Sequence, residues 1–130
     1  MQINTKLYGT DYGGFLVAPS LIKNGGNALC AGAGEDISFD IQLMGLHNIT
    51  IVGVDPTLKS CKYINRIVNV DRYHFLEKAL VGREDIAEIE VYENTNSEYV
   101  SESILSDHEC VDEKKFRLVS TTTIDQIVQQ

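Results

Sequence analysis

The chain has 130 residues, 43% hydrophobic and 23% charged, with 11 Lys+Arg against 19 Asp+Glu and a formal net charge of −8. That is too apolar for a disordered chain and long enough for one domain burying roughly two-thirds of its unfolded surface. The acidic balance and the lack of a basic stripe argue against nucleic acid, and no apolar run approaches the ~18 residues of a membrane span.

The charge is uneven. Residues 1–65 net −1 and residues 66–130 net −7, so the second half reads as solvated surface. Glu93, Glu98 and Glu102 belong to that face. The N-terminus has no basic stretch followed by an apolar one, so no secretory signal is expected. Cys30, Cys61 and Cys110 are odd in number and far apart. They predict a reducing, cytoplasmic setting rather than a disulfide framework. No metal site is expected: His47, His74 and His108 lack ligand spacing and read as surface or satisfied structural residues.

In chain order, Gly9, Gly13 and Gly14 mark turns before a short strand, Phe15-Leu16-Val17, which ends at Pro19. A brief helical piece around Leu21 and Ile22 stops at Gly25-Gly26. Asn27–Ala31 is a short apolar run ending at Gly32-Ala33-Gly34, which favours a buried strand. A helix follows, with Ile37, Ile41 and Met44 on one face and Phe39, Leu43 and Leu46 beside them. Glu35 and Asp36 are expected in its first turn, where the helix dipole favours negative charge.

Ile49–Val54 is rich in β-branched residues and reads as a second strand, ending at Asp55-Pro56. Residues 57–68 predict a helix with Leu58, Cys61, Ile64, Ile67 and Val68 facing inward. Tyr73–Val81 is expected as a third strand, and Gly82–Asp85 as a turn. Ile86–Tyr92 alternates apolar and acidic, the period of a strand with one wet face. Asn94–Leu105 is a polar loop. Phe116–Ser120 is another strand, and a Thr among Thr121–Thr123 caps a terminal helix carrying Ile124, Ile127 and Val128.

Strands alternating with helices argue an α/β fold with a parallel sheet flanked by helices. Right-handed crossovers place the second and third strands successively to one side of the first. Ligands in such folds bind at the carboxyl ends of the strands. Two features meet there. The turn Ala31–Asp36 lets backbone approach a ligand and offers helix N–H groups. Asp55 ends the next strand, where an acid can accept hydrogen bonds from ribose hydroxyls. Singly, each reads as a plain turn. Paired at this spacing, they describe a pocket for a nucleoside-containing cofactor.

A dinucleotide site wants G-x-G-x-x-G; here the last position is Ile37. A pyrophosphate would also meet Glu35 and Asp36, a poor electrostatic match. S-adenosylmethionine has no phosphate and carries sulfonium and ammonium groups, so acidic neighbours suit it better.

The stretches YGTDYGGFLV (8–17), CAGAGEDISFD (30–40), Val52-Gly53-Val54-Asp55-Pro56-Thr57 and EKALVGRED (77–85) resemble the N-terminal half of FkbM-type, S-adenosylmethionine-dependent methyltransferases. GEDISFD and DPT are the most specific of these. STTTIDQIVQQ (120–130) resembles the Thr-led helix before that family's fourth sheet strand. The resemblance runs from about Tyr8 to Gln130. It implies a Rossmann-like methyltransferase fold, truncated: an N-terminal strand and turn segment (1–26) and a partial cofactor-binding domain (27–130), forming one domain overall.

By that resemblance Gly32, Ala33 and Gly34 line the methionine moiety, with Glu35 beside them. Asp55 binds the ribose and Pro56 shapes the adenine side, while Ala79 and Leu80 flank adenine at the end of the third strand. Tyr8 and Tyr12, with Gly13-Gly14, would cover the cofactor or pack on the sheet. The implied reaction is methyl transfer to a small-molecule hydroxyl, of a sugar or natural product, and no catalytic base is identified. Two alternatives stay open. One is a nucleotide-binding module of another class, such as an NAD-binding fragment. The other is a non-catalytic interaction protein that dimerises through an unpaired edge of the first strand.

Overall fold

A computed structural model describes residues 3–67 and 71–130. The chain folds as an α/β protein, with three small sheets among the described residues. Strands β1 (Lys6–Tyr8) and β2 (Phe15–Val17) form an antiparallel hairpin. A 3-10 turn at Pro19–Leu21 leads into β3 (Gly26–Ala31). Helix α1 (Ser38–His47), β4 (Ile49–Val54), α2 (Leu58–Ile67) and β5 (Tyr73–Leu76) follow. Strands β3, β4 and β5 make a parallel sheet in that spatial order, with Gly26–Ala31 opposite Ile49–Val54 and Ile51–Val54 opposite Tyr73–Leu76. The helix-containing connections are what parallel pairing demands, since a tight turn cannot join parallel strands.

The third sheet differs from expectation. The segment read as one strand, Tyr73–Val81, is two. After β5 the chain bends, with Lys78 N–H donating to the Leu76 carbonyl at 2.9 Å. It re-forms as β6 (Ala79–Leu80), parallel to β8 (Val111–Thr122). Strand β7 (Glu88–Asn94) pairs with β8 antiparallel. Glu77 and Lys78 are poor residues for a buried sheet interior, and the break falls on them. The alternating segment does form a strand, starting two residues later than expected. Its acidic Glu88 and Glu90 face solvent while Val91 packs on Ala79 and Val119.

The main core gathers Ile37, Leu43 and Met44 around α1 with Ile49 and Ile51 of β4, Ile64 of α2, Tyr8 and Tyr73. The apolar face expected of α1 is corrected here. Ile41 and Leu46 are 49% and 56% exposed, while Asp40 and His47 are buried. The reason is polar satisfaction: a buried polar group needs partners, and both have them. Tyr8 Oη lies 2.8 Å from His47 Nε2, with Asn24 Oδ1 on the other ring nitrogen at 3.2 Å. His47 is thus a satisfied structural histidine.

Helix α1 begins at Ser38, so Glu35 and Asp36 precede it rather than fill its first turn. On α2, Ser60, Cys61 and Ile64 are buried, but Leu58 and Ile67 are exposed, against expectation. Val68 lies outside the described residues. The terminal helix α3 (Ile124–Val128) is capped as expected. Thr123 Oγ1 accepts from Gln126 N–H, and Gln126 Oε1 accepts from Thr123 N–H, the reciprocal arrangement of a capping box. No helix among the described residues is long and apolar enough to cross a membrane.

Burial sets a direct test. Ile51 is fully buried at the centre of β4. Ile51→Ala should cost about 3–4 kcal/mol of stability, whereas Ile41→Ala should stay within about 0.5 kcal/mol. Urea unfolding of the two variants checks the corrected face of α1.

Candidate functional site

The carboxyl end of β3 opens into a cavity of about 620 Å³, within the size range of small-molecule pockets. Its base is Leu29–Ala31 and the turn Gly32–Gly34. Its wall is Glu35, Asp36, Phe39 and Asp40. Its rim is Tyr12 and Gly13 with β2. Gly32 and Gly34 have φ values of 83° and 57°, in the left-handed region that suits glycine. A Cβ on either would meet nothing within 4 Å, so a ligand can approach this backbone closely.

The turn is held from below. Gly32 N–H donates to the Val54 carbonyl at 2.9 Å. Gly34 N–H donates to Asp55 Oδ2 at 3.0 Å. Asp55 is only 4% exposed. Its Oδ2 also accepts from Ser60 Oγ at 2.9 Å, and its Oδ1 accepts from the Thr57 amide and hydroxyl at 2.8 and 2.7 Å. Four donors occupy the sites a carboxylate offers. Asp55 therefore points inward and positions the glycine turn, where the expectation was a carboxylate presented to ribose.

The expected residues divide. Gly32, Ala33, Gly34 and Glu35 line the cavity; Asp55, Pro56, Ala79 and Leu80 do not. Ala79 is buried in the core of the third sheet and Leu80 is on its surface, because the chain bends after β5. The Pro56 carbonyl accepts from Arg117 at 2.7 Å. Tyr12 lines the rim, but Tyr8 is committed to His47 in the core. Glu102, read as part of a solvated face, is largely buried and ion-paired with Arg117. Burial pushes its carboxyl up from the usual range, against the pull of that guanidinium.

The rim is fixed to the wall through Asp36. Its carboxylate accepts hydrogen bonds from Thr10 Oγ1 and, at 2.9 Å, from Ser38 N–H. The hydroxyls of Ser38 and Thr10 hold Asp36 below the ordinary carboxylate range. Phe15 packs edge-on against Phe39, with ring centroids 5.1 Å apart.

Two residues of this region carried no sequence expectation. Asp40 lines the cavity and is 6% exposed. Tyr73 Oη donates to Asp40 Oδ2 at 3.1 Å. A Cβ at Gly53 would sit 2.5 Å from that hydroxyl, so glycine there is what lets the tyrosine cross β4. Burial raises Asp40 above the usual carboxylate range, although Cys30 and Tyr73 beside it favour the ionised form. The Cys30 thiol is pushed up to about 12 by burial and by Asp40. The available signal was an acid three residues after Ile37 and four before Met44, inside the apolar stripe.

Electrostatics narrow the ligand. Three carboxylates line the cavity, and among the described residues no Lys, Arg or His does. A phosphate would find no counter-charge here, while a cation would.

Asp40 yields a pH prediction. Its folded-state pKa lies above the unfolded value of 3.8, so the folded state binds the extra proton between the two. Stability is therefore lost as pH rises through that window. Asp40→Asn removes the loss and keeps an acceptor for Tyr73. The variant's stability relative to wild type should be greater at pH 7 than at pH 4. Urea midpoints at both pH values measure this, and an equal difference at the two would contradict it.

No family model, curated protein or solved structure matches the chain, so its function is read from this cavity.

Proposed function

We propose that the chain binds S-adenosylmethionine in this cavity and is the cofactor-binding part of a methyltransferase. One observation carries the reading: a ligand-sized cavity at the carboxyl end of a parallel strand joins a glycine turn to three carboxylates, with no basic residue among the described residues lining it. The strand order β3-β4-β5, with a helix in each connection, supports a Rossmann-like half-sheet, in which ligands bind at this edge. The resemblance of GEDISFD and DPT to FkbM-type methyltransferases points the same way. Three free cysteines suit a reducing, cytoplasmic setting.

On this reading Gly32, Ala33 and Gly34 lie along the amino-acid part of the cofactor. Asp55 acts through the turn, by fixing Gly34. The reaction is in-line transfer of the sulfonium methyl to an acceptor oxygen, on a sugar or natural-product hydroxyl. The protein's contribution is then mainly positioning.

A second reading, a non-catalytic interaction module, rests on a different observation. Among the described residues β3 pairs only with β4, and its sequence carries none of the Lys or Pro guards that blunt sheet edges. Phe15, Leu16 and Leu21 are also exposed. Such a module would assemble as a homo-oligomer through β3.

Calorimetric titration with S-adenosylhomocysteine separates the readings. Micromolar binding is expected, with no heat from NAD. Asp55→Ala should weaken it about tenfold by freeing the glycine turn, and Ala31→Phe should block the cavity. A folded protein that ignores S-adenosylhomocysteine, with a light-scattering mass that doubles on concentration, would favour the interaction module.

A further inference from the structure

The parts that meet at Asp40 form a built site. The residue sits on α1 among those lining the cavity and is 6% exposed. Among the described residues the ion pairs are Arg83–Asp85 and Arg117–Glu102, so Asp40 has no basic partner. The groups that face it are neutral: the Tyr73 hydroxyl from β5, at 3.1 Å, and the Cys30 thiol from β3. Gly53 on β4 leaves the space that Tyr73 occupies. Phe39 and Phe15 close the same cavity with apolar surface. A buried carboxylate without a counter-ion is costly, and an Asn would satisfy Tyr73 equally well.

The neighbouring acids are otherwise engaged. Asp36 is bound to Thr10 and Ser38, and Glu35 is exposed to solvent. We propose that Asp40 receives the α-ammonium of the cofactor's amino-acid moiety, with Tyr73 holding the carboxylate in place. The inference rests on the S-adenosylmethionine reading. An ammonium is favoured over the sulfonium because of the donors each brings. A carboxylate offers about four acceptor positions, and the structure places one hydroxyl donor at Oδ2, with the weak thiol donor of Cys30 beside it. An ammonium fills the remainder with N–H bonds, whereas a sulfonium has no donor to give. Asp40 is then a binding residue, and Tyr73 a positioning residue that acts through it.

The test compares three probes by calorimetry on the full chain. S-adenosylhomocysteine carries the ammonium, its deaminated analogue lacks only that group, and 5′-methylthioadenosine lacks the whole amino-acid part. On the unaltered protein the deaminated analogue should bind about thirtyfold more weakly than S-adenosylhomocysteine. Asp40→Asn should weaken S-adenosylhomocysteine by a similar factor and leave 5′-methylthioadenosine within about twofold. Tyr73→Phe should fall between, again only for the ammonium-bearing probe.

Equal affinity of the unaltered protein for S-adenosylhomocysteine and its deaminated analogue overturns the role of Asp40, whatever the variants do. So does equal weakening of all probes by Asp40→Asn. Either result leaves the cofactor reading intact. Failure of every probe to bind the unaltered, folded protein overturns the cofactor reading, and this assignment with it.

Discussion

The carboxylate of Asp55 is the constraint on which the site depends. It is buried at the end of the central strand and accepts four hydrogen bonds. One fixes the Gly32–Gly34 turn after β3. The other three come from Thr57 and Ser60, at the start of α2. Adjacent parallel strands, the intervening turn and the next helix are therefore locked by a single side chain. Hydrogen bonds to an ionised acceptor are among the stronger ones in a protein. Without this clamp, two glycines with left-handed backbone would carry most of the turn's freedom, and the cavity floor would not be defined.

Around that clamp, the fold accepts a compromise on the opposite wall. Gly53 gives up a side chain in the most buried strand so that Tyr73 can cross it. Tyr73 in turn supports an acid that the core would exclude on burial alone. Strand residues chosen for packing alone would place Val or Ile at position 53. Departures of this kind from local preference are where functional sites tend to lie.

Much of the parallel unit was legible in the residues. The β-branched run at Ile49–Val54, the glycine turn before α1 and the Thr-led cap of α3 are local signals, and each has its element. The departures on α1 and at Glu102 share one origin, which is long-range satisfaction. Asp40 and His47 enter the buried face of α1 because Tyr73, Tyr8 and Asn24 meet them there, from β5, β1 and the loop before β3. No window of α1 alone contains those partners. Glu102 differs from its solvated reading for the same reason: it lies between β7 and β8, and its partner Arg117 is fifteen residues away on β8. Asp55 follows β4 as its sequence position suggests, but its carboxylate turns inward to Gly34, Thr57 and Ser60, and the spacing to Gly34 does not reveal which way a carboxylate turns. Ala79 and Leu80 lie outside the cavity lining because of a bend that two adjacent charged residues mark only weakly.

The segment between β7 and β8 has an engineering consequence. Its base is closed by Thr95 N–H donating to the Cys110 carbonyl at 2.9 Å, and a bridge from Ser103 to Tyr92 divides it into two lobes. Both lobes are mostly solvent-exposed, while Glu102 is held by Arg117 at the division. Foreign peptide grafted into residues 96–100 or 104–109 would enter where the backbone bears little tertiary load. The anchored point between them would hold the division of the loop in place, and neither lobe supplies a residue that lines the cavity, so this loop offers a place for a label or affinity tag.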